Sequence, residues 1–206
     1  VISPGGLPIE AGVAVFNVET VYNVYRAVEK SKPVVDKVVT VVGEVENPVT
    51  VRVPLGTQLS DVVAMAGGEK KIGKELVYFV GGPMMGRIGS RYDSVTKTTN
   101  AILVLPEDHL IIQKKRMPSS IGIKRAASSC CQCQMCTDLC PRHNLGHPIE
   151  PHRFMQAMSN HKVEDLDAFL NLFFCTGCGV CEMFSCPQGL APRTLIDQCK
   201  TGLRQA

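Results

Sequence analysis

Residues 130–141 read Cys-Cys-Gln-Cys-Gln-Met-Cys-Thr-Asp-Leu-Cys-Pro, and residues 175–187 read Cys-Thr-Gly-Cys-Gly-Val-Cys-Glu-Met-Phe-Ser-Cys-Pro. Both stretches set three cysteines at i, i+3 and i+6 and close on Cys-Pro. Three thiolates so spaced on a tight loop can each reach one iron of a [4Fe–4S] cubane, and the fourth iron needs a more distant cysteine. In chains with two such runs the distant ligand comes from the other run. The spacing therefore predicts one cluster on Cys130, Cys133, Cys136 and Cys186. A second is predicted on Cys175, Cys178, Cys181 and Cys140. Structural zinc prefers two separated cysteine pairs and does not match this pattern. The second run has four residues before its last cysteine where the first has three, which alters the loop but not the ligand set. Gly177 and Gly179 are small enough to let backbone amides approach sulfide.

The remaining cysteines argue the same way. The chain of 206 residues has ten, and none precedes Cys130. A disulfide scaffold would spread its cysteines through the fold it staples. This distribution, with no leading signal peptide, predicts a reducing, cytoplasmic setting and metal ligation. Cys131 and Cys199 are surplus to two sets of four. Cys199 shares a helical face with Leu195, Ile196 and Leu203 and reads as a buried apolar residue. His143, His147 and His152 follow the first run; they could tune that cluster or carry protons, but read first as surface or capping residues.

Composition excludes several classes. Apolar residues make up 45% and charged residues 20%, ordinary values for a folded chain. No apolar run approaches the roughly 20 residues of a membrane span. A net charge of +3, no Trp, and only 7 Phe and 4 Tyr give little basis for nucleic-acid binding. The first residues are Val1-Ile2-Ser3 in place of Met, so a longer N-terminal portion is expected.

Four segments are predicted. Residues 1–36 open with loop chemistry at Ser3-Pro4-Gly5-Gly6. An amphipathic helix with Val18, Val21, Tyr22, Tyr25 and Val28 on one face then starts behind Asn17 as N-cap. So short a piece cannot close its own core and must pack on something else. Residues 37–108 read β-β-α-β-β. The strands are Lys37–Gly43, Val49–Val53, Leu76–Val80 and Ala101–Leu105. The helix would be capped by Thr57, would bury Leu59, Val62, Val63 and Ala66, and would end at Gly67-Gly68. Residues 109–125 read as a basic linker, with five basic and no acidic residues between 113 and 125. Residues 126–206 should be small and mainly helical. They include a helical pattern over Leu166, Phe169, Leu170, Phe173 and Phe174, and a last helix entered at Pro192. The loop Gly81-Gly82-Pro83-Met84-Met85-Gly86 reads either as a tight turn or as a ligand- or partner-binding loop, and it lacks the Lys and Ser/Thr of a nucleotide P-loop.

Several of these stretches resemble one superfamily. Asn17-Val18-Glu19-Thr20 resembles the flavin-domain motif of the 51-kDa NADH-oxidising subunit of respiratory complex I. Val41-x-Gly43-x-Val45-x-x-Pro48, Val53-Pro54-x-Gly56-Thr57, Asp61 and Ala66-Gly67-Gly68 resemble the soluble-ligand-binding β-grasp (SLBB) domain. Gly81–Gly86 together with Val95-Thr96-Lys97-Thr98-Thr99-Asn100 resembles the RnfC component of Rnf complexes. Over the whole chain the resemblance is to the cobalamin reductases of propanediol utilisation. It implies an α+β fold: the tail of a flavin/NADH-binding domain, an SLBB β-grasp domain and a two-[4Fe–4S] ferredoxin-type domain.

Further expectations follow from that resemblance. Electrons would pass from NADH to FMN, then to two [4Fe–4S] clusters, then to cobalamin, in a bacterial microcompartment. Asn17 and Thr20 would touch FMN as one part of its site, although Phe16 stands where the complex I proteins commonly carry a second Asn. The glycine-rich FMN and NADH loops would lie upstream, so this chain alone would transfer electrons without oxidising NADH. Two alternatives remain at this stage. One is a peripheral, RnfC-like member of a membrane-associated electron-transfer complex, which the 142–152 stretch disfavours. The other is a non-redox SLBB binding module with structural clusters.

Overall fold

The computed structural model describes residues 6–161 and 164–205. Ser3, Pro4 and Gly5 of the expected opening loop lie outside the described residues. The chain forms two compact units, one of Ala14–Lys115 and one of residues 6–13 with 116–205.

The first unit contains α1 (Val18–Lys30), β1 (Asp36–Gly43), β2 (Val49–Pro54), α2 (Leu59–Met65), β3 (Leu76–Val80), β4 (Arg87–Gly89), β5 (Ala101–Pro106) and α3 (Leu110–Arg116). Its mixed sheet has the order β2-β1-β5-β3-β4. β1 runs parallel to β5, and the other neighbours are antiparallel. Side chains alternate across a strand, so Val39 and Val41 of β1 point into the core while Val38 points out. Leu59, Val62, Val63 and Ala66 cover that inner face, as their spacing predicts. Complete burial of each Leu or Val side chain contributes roughly 1.5–3 kcal/mol.

Three details differ from the sequence reading. The Thr57 hydroxyl turns back to the Pro54 carbonyl at 2.8 Å, and Gln58 takes the N-cap position of α2. A short fifth strand, β4, follows the Gly81–Gly86 loop. That loop is a tight turn closed by Gly86 N–H donating to Gly82 O at 2.7 Å, and it returns the chain antiparallel to β3. The connector expected at 109–125 is largely helical. Ile112 of α3 is fully buried, and a helix over Ser119–Ser129 buries Gly122 and Ala126. The basic side chains suggest a solvated connector, but the apolar residues between them give each helix a buried face.

Asn17 caps α1 by accepting a hydrogen bond from Glu19 N–H at 2.9 Å. Arg26 pairs with Asp36 at 2.9 Å and Glu19 pairs with Lys37, tying the helix to β1. Its apolar stripe is uncovered: Val18 is 82% and Val28 73% exposed.

The second unit contains α4 (Ser119–Ser129), α5 (Met135–Asp138), α6 (Pro141–Asn144), α7 (Pro151–Ser159), α8 (Leu166–Leu170) and α9 (Pro192–Gln205). A 3₁₀ turn over Asn171–Phe174 continues α8, so the helical pattern read at 166–174 is broken in two. A π turn spans Cys181–Ser185. Ala126, Phe154, Met155, Leu172, Leu190, Leu195 and Ile196 form the core, with Cys199 packed against it as expected. Leu203 is exposed. Arg153 of α7 makes two 2.7 Å bonds to Asp165, which also caps α8 by accepting from Ala168 N–H.

Candidate metal centre

The two cysteine runs occupy equivalent junctions. Cys130 ends α4 and Cys175 ends the 3₁₀ turn, each in extended backbone. Cys136 lies in α5, while Cys181 opens the π turn. Cys140 caps α6, whose first residue is Pro141; the fixed φ of proline suits that position.

The backbone around the middle cysteines repeats as well. Gly177 and Gly179 flank Cys178 with φ of 67° and 82°. Gln132 and Gln134 flank Cys133 with φ of 53° and 63°. Glycine enters this left-handed region freely, whereas a residue with a Cβ is held there at a cost of roughly 1–2 kcal/mol. The motif spacing alone gives no sign that two glutamines take the glycine conformation.

Two cavities lie beside these loops. One is lined by Cys130, Cys133, Cys136 and Cys186, with Cys131, Gln132, Gln134 and His152 at its wall. The other is lined by Cys140, Cys175, Cys178 and Cys181. Each cavity thus gathers three cysteines of one run and the last cysteine of the other. Among the described residues no three His, Cys, Asp or Glu side chains converge on a point suited to a single metal ion. Four soft thiols around a volume, in place of four donors on a point, fit a multi-iron cluster better than zinc.

Electrostatics follow from this crowding. Burial, then Cys186, Cys130 and Cys133, pushes the Cys136 thiol up to about 12. Burial also raises Cys181, with Cys175, Cys136, Glu182 and Cys178 adding to it. Cys136 of one set acts on Cys181 of the other, so the cavities are neighbours. Cys175 is raised by burial, against the Gly177 N–H and Lys200. An iron–sulfur cluster bound here would displace protons from these thiols, and its iron charge would compensate the crowded thiolates.

Among the described residues, three donors reach cysteine sulfur. Gln132 Nε2 lies 3.1 Å from Cys130 Sγ, Gly177 N 3.3 Å from Cys175 Sγ, and Leu190 N 3.3 Å from Cys186 Sγ. Glu182 accepts from Thr194 N and Oγ1, both at 2.8 Å, pinning the π turn to the start of α9. Lys200 Nζ donates to Cys175 O at 2.9 Å.

His147 departs from the surface or capping reading. His147 is buried against the Phe174 ring, with 5.0 Å between centroids, and burial and Arg142 lower its pKa. His152 Nδ1 lies 2.7 Å from Thr137 Oγ1 at the edge of the first cavity, and His143 Nδ1 bonds Ile149 O at 3.0 Å.

Asn17 and Thr20 lie in the other unit, on a third cavity of about 460 Å³. Asn23, Lys37, Lys97, Thr98 and Asn100 line it too. The helix start and the 97–100 stretch, far apart in sequence, thus share one cavity.

Residues 129–191 match the model of the 4Fe-4S dicluster domain, and residues 38–88 match that of the SLBB domain. The chain carries both domains. An SLBB domain followed by a dicluster domain accounts for the α+β fold and for the doubled cysteine run. The chain is 41% identical to the cobalamin reductase PduS of Salmonella typhimurium over 204 residues, covering 98% of this chain and 45% of that protein. Identity to the cobalamin reductase PduS of Citrobacter freundii is 39%, with the same coverage. A component of the proton-translocating ferredoxin:NAD(+) oxidoreductase complex of Clostridium ljungdahlii is 31% identical over 69% of this chain and 28% of that protein. The chain is PduS-like over nearly its whole length, and it spans about half the length of those PduS relatives. Among the described residues no helix is long and apolar enough to cross a membrane.

Proposed function

We propose that this chain is the iron–sulfur electron-transfer portion of a flavin-dependent NADH oxidoreductase whose acceptor is cobalamin. The observation that carries this reading is the pair of neighbouring four-cysteine cavities, each completed by the last cysteine of the other run. Cys130, Cys133, Cys136 and Cys186 would hold one [4Fe–4S] cluster, and Cys175, Cys178, Cys181 and Cys140 the other. When bound, such clusters supply one-electron steps between a two-electron donor and a one-electron acceptor. Pro141, Met155, Leu190, Ile149 and Ile196 line the cavities with apolar surface that restricts water at the sulfurs. Glu182 and Lys200 fix the second cysteine loop against α9.

The acceptor rests on the PduS relatives, and with it a setting in a bacterial microcompartment. Asn17 and Thr20, on the cavity beside α1, would be this chain's share of an FMN site. NADH would bind in a region beyond this chain. An Rnf-type membrane-associated complex is a second reading, favoured by the relatives from ion-translocating oxidoreductase complexes, which match a smaller share of the chain.

Anaerobic reconstitution tests the first part and should give about eight irons per chain, four per cluster. Reproducible binding of about four irons, or of stoichiometric zinc, would refute it. The reduced chain should then reduce cobalamin one electron at a time, seen by absorbance under argon. Reduction of ferredoxin with cobalamin untouched would favour the Rnf-type reading. Clusters that no accessible reductant can reduce would leave only a structural role.

A further inference from the structure

The two cysteine loops share one backbone shape but reach it with different residues, and the difference lies at the sulfur. At the same offset, two residues beyond the first cysteine, one loop has Gly177 and the other Gln132. Both are left-handed. Gly177 can offer only its backbone N–H, which it gives to Cys175 Sγ at 3.3 Å. Gln132 brings a side-chain amide to Cys130 Sγ at 3.1 Å, from inside the first cavity. Gln134 is left-handed too and lines the same cavity, yet its amide makes no bond to sulfur. Backbone strain of this kind persists where the surroundings demand it, and it concentrates at functional positions. Glycine would relieve the strain at 132 but would remove the donor.

We infer that Gln132 is a positioning residue that raises the reduction potential of the cluster held by Cys130, Cys133, Cys136 and Cys186. The inference rests on the proposal that this cavity holds a [4Fe–4S] cluster. An N–H donor to a ligating sulfur draws electron density from it and favours the more negative, reduced cluster. The bond reaches only the first cavity, so Gln132 tunes one cluster and leaves the other unaffected.

The test is an EPR-monitored redox titration of the reconstituted wild-type chain and of the Gln132→Gly, Gln132→Asn and Gln134→Gly variants. Glycine keeps the left-handed backbone. Asparagine tolerates it well, but its amide is one methylene shorter. Loss of the donor should shift the one-electron reduction equilibrium of the first cluster about tenfold towards the oxidised form, a fall of about 59 mV. The second cluster should not move, and Gln134→Gly, which removes no donor to sulfur, should shift the first cluster far less than Gln132→Gly. If Gln132→Gly fails to retain the cluster, Gln132→Asn supplies the same comparison. Eight irons in the wild type with no selective shift in the Gln132 variants would overturn this inference alone. An equal shift in Gln134→Gly would also overturn it, by making the effect one of backbone shape. Fewer irons in the wild type would overturn the cluster reading and this inference with it.

Discussion

Replacing Cys186 with serine should empty the cavity whose other cysteines lie some fifty residues earlier in the chain. Cys186 shares the first cavity with Cys130, Cys133 and Cys136, and none of the second set lines that cavity. Its sulfur already accepts the Leu190 N–H at 3.3 Å, and a serine oxygen can keep that role, so the fold should persist. A cluster reduced to three thiolates should be lost, taking the iron count from about eight to about four per chain. Cys133→Ser should give the same count and the same residual EPR signal. Cys178→Ser should leave the other signal, and Cys140→Ser should match it. Double variants sharpen the comparison, because two losses within one site do not add whereas losses in separate sites do. Cys133→Ser with Cys186→Ser should still hold about four irons, while Cys133→Ser with Cys140→Ser should hold close to none. The reverse result, with Cys133 and Cys140 behaving as one site, would show that each run binds its own cluster and would refute the crossed arrangement.

Two further outcomes follow from the backbone and from burial. Gln134→Gly should stabilise the metal-free chain by about 0.5–1 kcal/mol, because relief of the left-handed Cβ exceeds the added chain entropy of glycine. Urea denaturation reads this directly, and a destabilised variant would show that the Gln134 side chain contributes packing that outweighs its strain. His147 has its pKa lowered by burial, so the folded chain resists protonating it. The unfolded chain takes up that proton as pH falls through about 6.5. Stability from this group is therefore complete above that pH and declines below it, until the folded group also titrates. The unfolding midpoint of the wild type should drop between pH 7.5 and 5.5 more steeply than that of His147→Phe, and parallel curves would exclude His147 as a source of the acid sensitivity.

Much of this protein is legible in sequence because it depends on local spacing. A β-branched run marked β1, and the spacing of Leu59, Val62, Val63 and Ala66 identified the inner face of α2. The doubled Cys-x2-Cys-x2-Cys run identified the metal-binding half, since the separation of thiols along a loop limits which metal group they can reach. Other features depend on residues brought together from distant parts of the chain. The basic stretch at 109–125 became helical because Ile112, Gly122 and Ala126 found partners elsewhere. His147 looked like a surface residue until Phe174 closed over it. Asn17 and Thr20 met Lys97 and Asn100 on one cavity only after the sheet formed. The left-handed glutamines were hidden because glycine signals that conformation in a sequence and glutamine does not. Sequence by itself determined the number and spacing of the thiols proposed as metal ligands, a matter of composition and short spacing. Only the tertiary structure decided what stands beside each sulfur, because the Gln132 amide reaches Cys130 through a backbone conformation that no residue pattern announces.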